Sequence, residues 1–357
     1  MITDATRERA VELRGVVEAP PAGPWLVLTH DNPDPDALAS AALLEHLLAE
    51  GWKRRVTVAY GGIIGRAENR EMVKALGLEL AHVRGLDFGR FRRFALVDSQ
   101  PHTGNNQLPA RIVPDLVFDH HPLRKATLAA RFADVRPKYG ATATILTEHL
   151  LAAGVRPGRA LATALVYAIR SETQDFSREF APPDKATYDA FLPEINQRAL
   201  GRIQNARLPL GYLRNLHDAL ENLETVSNLI VSHLGPVDHP DIVPEVADLL
   251  LRLEGMTWSL ATGLYGDRIY LSLRTTNGRA DAGRVMRALV GRRGKGGGHG
   301  MMAGGWVETA KAPNGDVRQL QRQLGQRLAA LLRKSPEKLA RIELKQDGGG
   351  AAPGETG

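Results

Sequence analysis

No cysteine occurs anywhere in the chain. That absence excludes a disulfide scaffold, a thiol nucleophile and a thiolate zinc site, and it fits a cytoplasmic protein. Aromatic residues are scarce, at 5%, which argues against a platform on which a long single strand stacks base after base. Long apolar runs are missing too. The longest, such as VADLLLRL, fall well short of the ~20 residues a membrane helix needs, so no membrane association is expected. The first ten residues, MITDATRERA, are polar and charged and read as no secretory signal.

What is present fits an ordinary globular protein. The apolar share is 43%, and 357 residues suffice for about two domains, each with its own core. A formal net charge of +6 mildly favours an anionic partner, although the basic residues are scattered.

Residues 25–30, WLVLTH, read as a short buried strand, and DALASAALLEHLLAEG has the spacing of a helix with Asp36 as its N-cap. The alternation recurs in strand RRVTVAY, a helix around RAENREMVKALG, strand FRRFALVD and strand PDLVFD. It predicts an α/β fold with a mostly parallel sheet covered by helices. Helices are expected at TATILTEHLLAAG, at RALATALVYAIRS and between Asp184 and Leu200. The boundaries read as a first domain over 1–205, a helical linker over 206–227, a smaller α/β domain over 228–340 and a disordered tail over 341–357. The smaller domain should contain strands NLIVSHL, MTWSLATGLYG and RIYLSLRT, helix DAGRVMRALVG, a glycine-rich loop, strand GGWVETA and a last helix from about Asp316.

Four separate places put metal-ligand chemistry just after an apolar segment. They are His30, Asp34 and Asp36 in the turn HDNPDPD, Asp98 after FALV, Asp119, His120 and His121 after DLVF, and Glu172 after LVYAIRS. Carboxylates as close as those of HDNPDPD repel one another unless a cation sits among them. Polar residues beyond the carboxyl ends of parallel strands converge on one crevice. Each piece alone has a plainer explanation, since an Asp after a strand is usually a helix cap or a turn residue. The set in this order is harder to explain as packing. It is large enough for two divalent ions sharing a carboxylate, an arrangement that clamps the attacking and leaving oxygens of a phosphoryl displacement.

With these residues in place, the chain resembles the DHH phosphoesterase superfamily through HDNPDPDA, LVDSQP, FDHHP and IRSETQDF. LSLRTTN and GKGGGHGMMAGG resemble the DHH-associated substrate-binding domain. The resemblance covers about residues 20–335, and the layout is similar to the soluble nanoRNase/RecJ-like phosphodiesterases. It implies one ion on His30, Asp34 and Asp98, and a second on Asp36, Asp98, His120 and Glu172, with Asp98 bridging. It implies that His121 faces the phosphate as a general acid or hydrogen-bond donor and that Asp119 orients an imidazole. The glycines of GGGHG, Gly297 and Gly298 among them, let backbone N–H groups approach a phosphate, with His299 and Arg274 adding charge-assisted bonds, so these four are expected as the grip on the substrate. His102 and Asn105, after Asp98, are further candidates, and the active site is expected in the cleft between the domains. The other histidines are assigned to helices and surfaces. The mixed nitrogen and oxygen donors suit Mn2+, with Mg2+ or Co2+ as substitutes.

Glu172 stands where the superfamily usually carries Asp, so either Glu172 or Asp175 completes the second ion. The expected activity is hydrolysis of short single-stranded oligonucleotides or linear dinucleotides, with 3′-phosphoadenosine 5′-phosphate as a further substrate and a homodimer as the candidate assembly. Two alternatives stand beside it. One is a pyrophosphatase or exopolyphosphatase, against which the lack of a dense basic run such as SRKKQ counts. The other is a nucleotide-binding protein of reduced catalytic power.

Overall fold

The computed structural model describes residues 4–342, apart from the side chains of residues 4, 5 and 299. The tail expected over 341–357 lies, from residue 343 onward, outside the described residues. The chain divides into two compact units, Met1–Arg207 and Leu208–Gly357.

The first unit opens with helix α1 (Asp4–Glu18), absent from the sequence expectation, and then alternates. Strand β1 (Trp25–Leu28) leads into α2 (Pro35–His46), and β2 (Val56–Tyr60) into α3 (Ala67–Leu76). The short β3 (Ala81–His82), β4 (Arg93–Val97), β5 (Leu116–Asp119) and β6 (Phe132–Val135) complete the sheet. Helices α4 (Thr142–Ala152), α5 (Arg159–Glu172), α6 (Pro182–Phe191) and α7 (Gln197–Gln204) follow. All six strands are parallel, in the order β3-β2-β1-β4-β5-β6. Side chains alternate across the sheet as a period of two requires. Trp25, Val27, Ala95, Val97, Leu116 and Phe118 enter the large core with the helices. Leu26, Leu28, Leu96 and Val117 enter a smaller one on the other face. The strand order reverses direction between β1 and β4, which opens a crevice at their carboxyl ends. His30 follows β1 and Asp98 follows β4 there.

The second unit begins with α8 (Leu210–Glu221) and β7 (Leu223–Val226), so the span expected as a helical linker over 206–227 contains a helix and also a strand of the second sheet. It continues with β8 (Leu229–Pro236), α9 (Ile242–Leu250), β9 (Trp258–Tyr265), β10 (Arg268–Thr275) and α10 (Ala282–Val290). It closes with β11 (Gly294–His299), β12 (Met302–Glu308), α11 (Val317–Leu331) and β13 (Ala340–Arg341). Its strands are ordered β11-β12-β10-β9-β8-β7-β13, and among the described residues only β8 and β9 pair in parallel. Apolar clusters cover both faces.

One expectation is corrected here. The glycine run is not a loop but the edge strand β11, paired antiparallel with β12. Glycine is needed because α10 lies almost on the strand: a Cβ at Gly283 would come 2.0 Å from the Gly298 carbonyl oxygen, and one at Gly296 would come 2.8 Å from Met286 Cγ. Among the described residues, no helix is long and apolar enough to cross a membrane.

Candidate metal centre

The turn after β1 is organised by its own polar groups. Asp34 is the N-cap of α2, its Oδ1 accepting from Ala37 N at 3.0 Å, and Pro35 occupies the first helical position. Asp36, expected as that N-cap, lies instead inside the first turn and reaches across to α4. Its Oδ2 accepts from Thr142 N at 2.7 Å and its Oδ1 from Ala143 N at 2.9 Å. Helix α4 has Ala141 in its own N-cap position and no local side-chain cap, so Asp36 serves as one from a distance.

Asp98 is the shared member of the cluster. It is buried, with φ of 52°, a left-handed conformation that Asp and Asn tolerate better than other residues with a Cβ. Its Oδ2 lies 3.4 Å from His30 Nε2, while its Oδ1 lies 3.6 Å from His120 Nε2 and 3.7 Å from His121 Nδ1. Asp34 Oδ1 is 3.8 Å from His30 Nε2. Two triads therefore have ligand atoms within 4.8 Å of one another: His30, Asp34 and Asp98, and Asp98, His120 and His121. Asp36 and Glu172 lie outside those triads but feel the charges of the triads' carboxylates. Burial, together with repulsion from Asp98, Glu172 and Asp34, holds the Asp36 carboxyl well above its usual range. Burial, with Asp34 and Asp98, raises that of Glu172 against the opposing pull of His120 and His121.

The donor set fits a cation. His30 Nδ1 faces the Asp31 carbonyl oxygen at 2.8 Å, and His120 Nδ1 faces that of Tyr139 at 3.2 Å. A ring that donates there to a carbonyl keeps its Nε2 lone pair for a metal. His120 Nε2 is buried and has no hydrogen-bond partner among the described residues. In an ordinary core such an atom would cost the full desolvation penalty.

His121 is arranged differently. Its Nδ1 is bonded to Asp119 Oδ1 at 2.8 Å, and its side chain is 40% exposed against 10% for His120. Asp119 also accepts from Gln100 Nε2 at 2.6 Å. Burial works against a charged His121, but the Asp119 hydrogen bond and the charges of Asp98, Asp119 and Glu172 outweigh it and raise the ring to about 10.

Three contributors escape a reading of the sequence. Thr142 donates its hydroxyl to Asp98 Oδ1 at 3.0 Å, Gln100 holds Asp119, and Tyr139 supplies a carbonyl to His120. Gln100 lies inside the LVDSQP motif, which is a signal that could have found it. The other two sit in stretches that read only as a loop and a helix start.

Other candidates are placed as follows. His102 is exposed with φ of 61°, and Asn105 holds the loops together, its carbonyl accepting from Asp31 N and its Oδ1 from Ser99 Oγ. His149, assigned to a helix or surface, is fully buried against Asp134 at 2.7 Å. In the second unit Arg274 is on β10, with Nε held by Asp248 at 2.7 Å and Nη1 by the Leu273 carbonyl oxygen at 3.2 Å. A substrate phosphate there would have to compete with Asp248. Gly297 and Gly298 lie on β11, and an added Cβ at Gly297 would meet open space. His299 ends the same strand, and its side chain lies outside the described residues.

Asp175 is exposed and ion-paired with Arg170, whereas Glu172 is half-buried and its carboxyl is raised by burial and by the charges of Asp34 and Asp98. Glu172→Gln is therefore expected to raise the Mn2+ concentration needed for activity by about ten- to a hundredfold, the scale on which support for a metal site is lost. Asp175→Asn should leave that requirement unchanged. Side-by-side Mn2+ titrations check this, and a shift confined to Asp175→Asn would reverse the assignment.

Comparison with known proteins agrees with this architecture. The DHHA1 domain family matches residues 227–347. Over 311 residues, 87% of this chain, the sequence is 36% identical to an uncharacterized protein of Methanocaldococcus jannaschii, and the chain spans 62% of that relative's length. An exopolyphosphatase-related protein from Bacteroides fragilis shares the fold with a TM-score of 0.71 at 16% identity, over 92% of this chain and 98% of that one. RecJ from Thermus thermophilus, in complex with Mn2+, shares it with a TM-score of 0.52 at 14% identity, over 96% of this chain and 56% of that one. The fold of the chain is the one these two solved structures have, and over residues 227–347 its sequence is similar to the DHHA1 domain family.

Proposed function

We propose that this chain is a divalent-metal phosphoesterase. The observation that carries the reading is Asp98, a buried carboxylate with one oxygen toward His30 and the other toward His120. His30, Asp34 and Asp98 would hold one ion, and Asp36, Asp98, His120 and Glu172 the second. Bound there, the ions would supply Lewis acidity at the phosphoryl oxygens. Asp36 has both oxygens engaged by Thr142 N and Ala143 N, but each carboxylate oxygen accepts more than one bond, so the capping role and a ligand role are compatible. His121, held by Asp119 and partly exposed, is assigned to protonate or hydrogen-bond the leaving oxygen. Arg274, Gly297, Gly298 and His299 are assigned to the substrate's phosphates.

For the substrate, one reading is short oligonucleotides and linear dinucleotides, with 3′-phosphoadenosine 5′-phosphate as a further candidate. A second reading, hydrolysis of pyrophosphate or polyphosphate, is favoured by the likeness to the exopolyphosphatase-related protein, which extends over nearly the whole of both chains. One panel with added Mn2+ separates them: 5′-phosphorylated oligonucleotides of two to about ten nucleotides, 3′-phosphoadenosine 5′-phosphate, pyrophosphate and polyphosphate. Release of mononucleotides, fastest from the shortest oligomers, is the expected result. Turnover confined to the anhydrides would establish the second reading. No hydrolysis of any of them with Mn2+, Mg2+ or Co2+ would overturn the phosphoesterase assignment.

A further inference from the structure

The metal-facing nitrogen of His120 is only half of its environment. The other ring nitrogen faces the Tyr139 carbonyl oxygen, and Tyr139 belongs to a buried polar cluster with no part in the chemistry above. Its hydroxyl donates to Glu148 Oε1 at 3.0 Å and accepts from Arg136 Nη1 at 2.9 Å. The same Nη1 also bonds Glu148 Oε2 at 2.6 Å. The rest of the Arg136 guanidinium forks onto Asp134, with Nε to Oδ1 at 2.8 Å and Nη2 to Oδ2 at 2.6 Å. His149 Nε2 lies 2.7 Å from Asp134 Oδ2, and Thr6 donates to Glu148 Oε2 at 2.8 Å.

The main chain ties this cluster to the metal-binding strand. Arg136 N donates to the Asp119 carbonyl oxygen, directly before His120, and Tyr139 N donates to the Arg136 carbonyl oxygen. Residues 136–139 thus form a tight turn fixed at both ends, with its two long side chains gripped by one carboxylate, Glu148, that is 1% exposed. Glu148 lies on α4, the helix whose first residues bind Asp36 and Asp98. One helix therefore braces the ligands from its N-terminus and the support of His120 from its middle. Removing the Tyr139 hydroxyl or the Glu148 carboxylate leaves the direct partners of that group in this network unsatisfied.

We propose that Glu148, Arg136 and Tyr139 are positioning residues for His120. By fixing the Tyr139 carbonyl they hold the His120 proton on Nδ1 and aim the Nε2 lone pair at the cation shared with Asp98. Support of this kind sets both the tautomer and the basicity of a metal-ligating imidazole. The inference rests on the reading of His120 as a ligand.

The test is Mn2+ binding by calorimetry on the full chain, together with the ¹⁵N signals of the His120 ring in metal-free protein. Tyr139→Phe removes the hydroxyl and leaves ring and carbonyl in place. It is expected to weaken binding at the second ion by about tenfold, the low end of what losing a ligand's support costs, and to shift the ring signals away from a single Nδ1–H tautomer. Glu148→Gln should act in the same direction, and if it fails to fold, Tyr139→Phe carries the test. Thr6→Val loosens Glu148 without touching Tyr139 or Arg136 and should bind Mn2+ as the parent does. Unchanged affinity and unchanged ring signals in Tyr139→Phe would overturn the proposal, as would an equal loss in Thr6→Val. His120→Ala separates the two levels: if it binds both ions normally, the ligand reading itself has failed.

Discussion

Asp98→Asn is expected to abolish turnover, by at least about a thousandfold, while the protein stays folded. Asn is the informative replacement because residue 98 has φ of 52°. Asn enters that conformation readily, whereas Ala would add about 1–2 kcal/mol of backbone strain that has nothing to do with the site. The amide also keeps an acceptor for the Thr142 hydroxyl, so the start of α4 keeps that contact. What is lost is the negative charge that His30 and His120 face from opposite sides. Calorimetry should show both ions weakened together, and circular dichroism should be unchanged. A folded Asp98→Asn protein with near-parental activity would remove the basis of the two-ion reading.

His121→Asn should separate proton donation from metal binding. The Asn amide can still donate to Asp119 in place of Nδ1, but it has no counterpart of the far ring nitrogen. If His121 serves the leaving group, kcat is expected to fall by about 10²–10⁴-fold, the usual contribution of a positioned acid. Mn2+ affinity should stay close to the parent's. His121 also belongs to a triad whose ligand atoms lie close enough to hold an ion. A loss of Mn2+ affinity in step with kcat would therefore place it among the ligands. The occupied Nδ1 and the 40% exposure of the side chain favour the donor role.

Much of this was legible in the sequence because strand ends mark themselves. WLVL, FALV and LVF are short apolar runs, and each is followed closely by His or Asp where the fold has no use for them. The parallel sheet, the order of the motifs and the gathering of His30, Asp98 and His120 follow from that pattern. The sequence had less to say where no side chain carries a period. Strand β11 is nearly all glycine, and its identity comes from pairing with β12 and from the close approach of α10. Strand β6 and helix α9 escape the pattern for local reasons: FADV has a charged residue among its four, and IVPEVADLL carries a proline near its start. The polar start of α1 hides a helix that packs through Leu13 and Val17.

Residue types and their order determined, without help from coordinates, that this chain is an α/β protein built around an imidazole and carboxylate cluster. The tertiary structure alone decided how each of those groups is held. Asp36 and Asp34 are two residues apart and chemically identical, yet Asp34 caps its own helix and Asp36 caps α4, more than a hundred residues away. Glu172 and Asp175 are three apart, yet Glu172 has its carboxyl raised by burial and by Asp34 and Asp98, while Asp175 is exposed and paired with Arg170. The physical reason is the same in both cases. Ligand chemistry is local and shows in a motif, whereas the partner that orients a ligand is set by which distant backbone N–H or carbonyl the fold brings within about 3 Å.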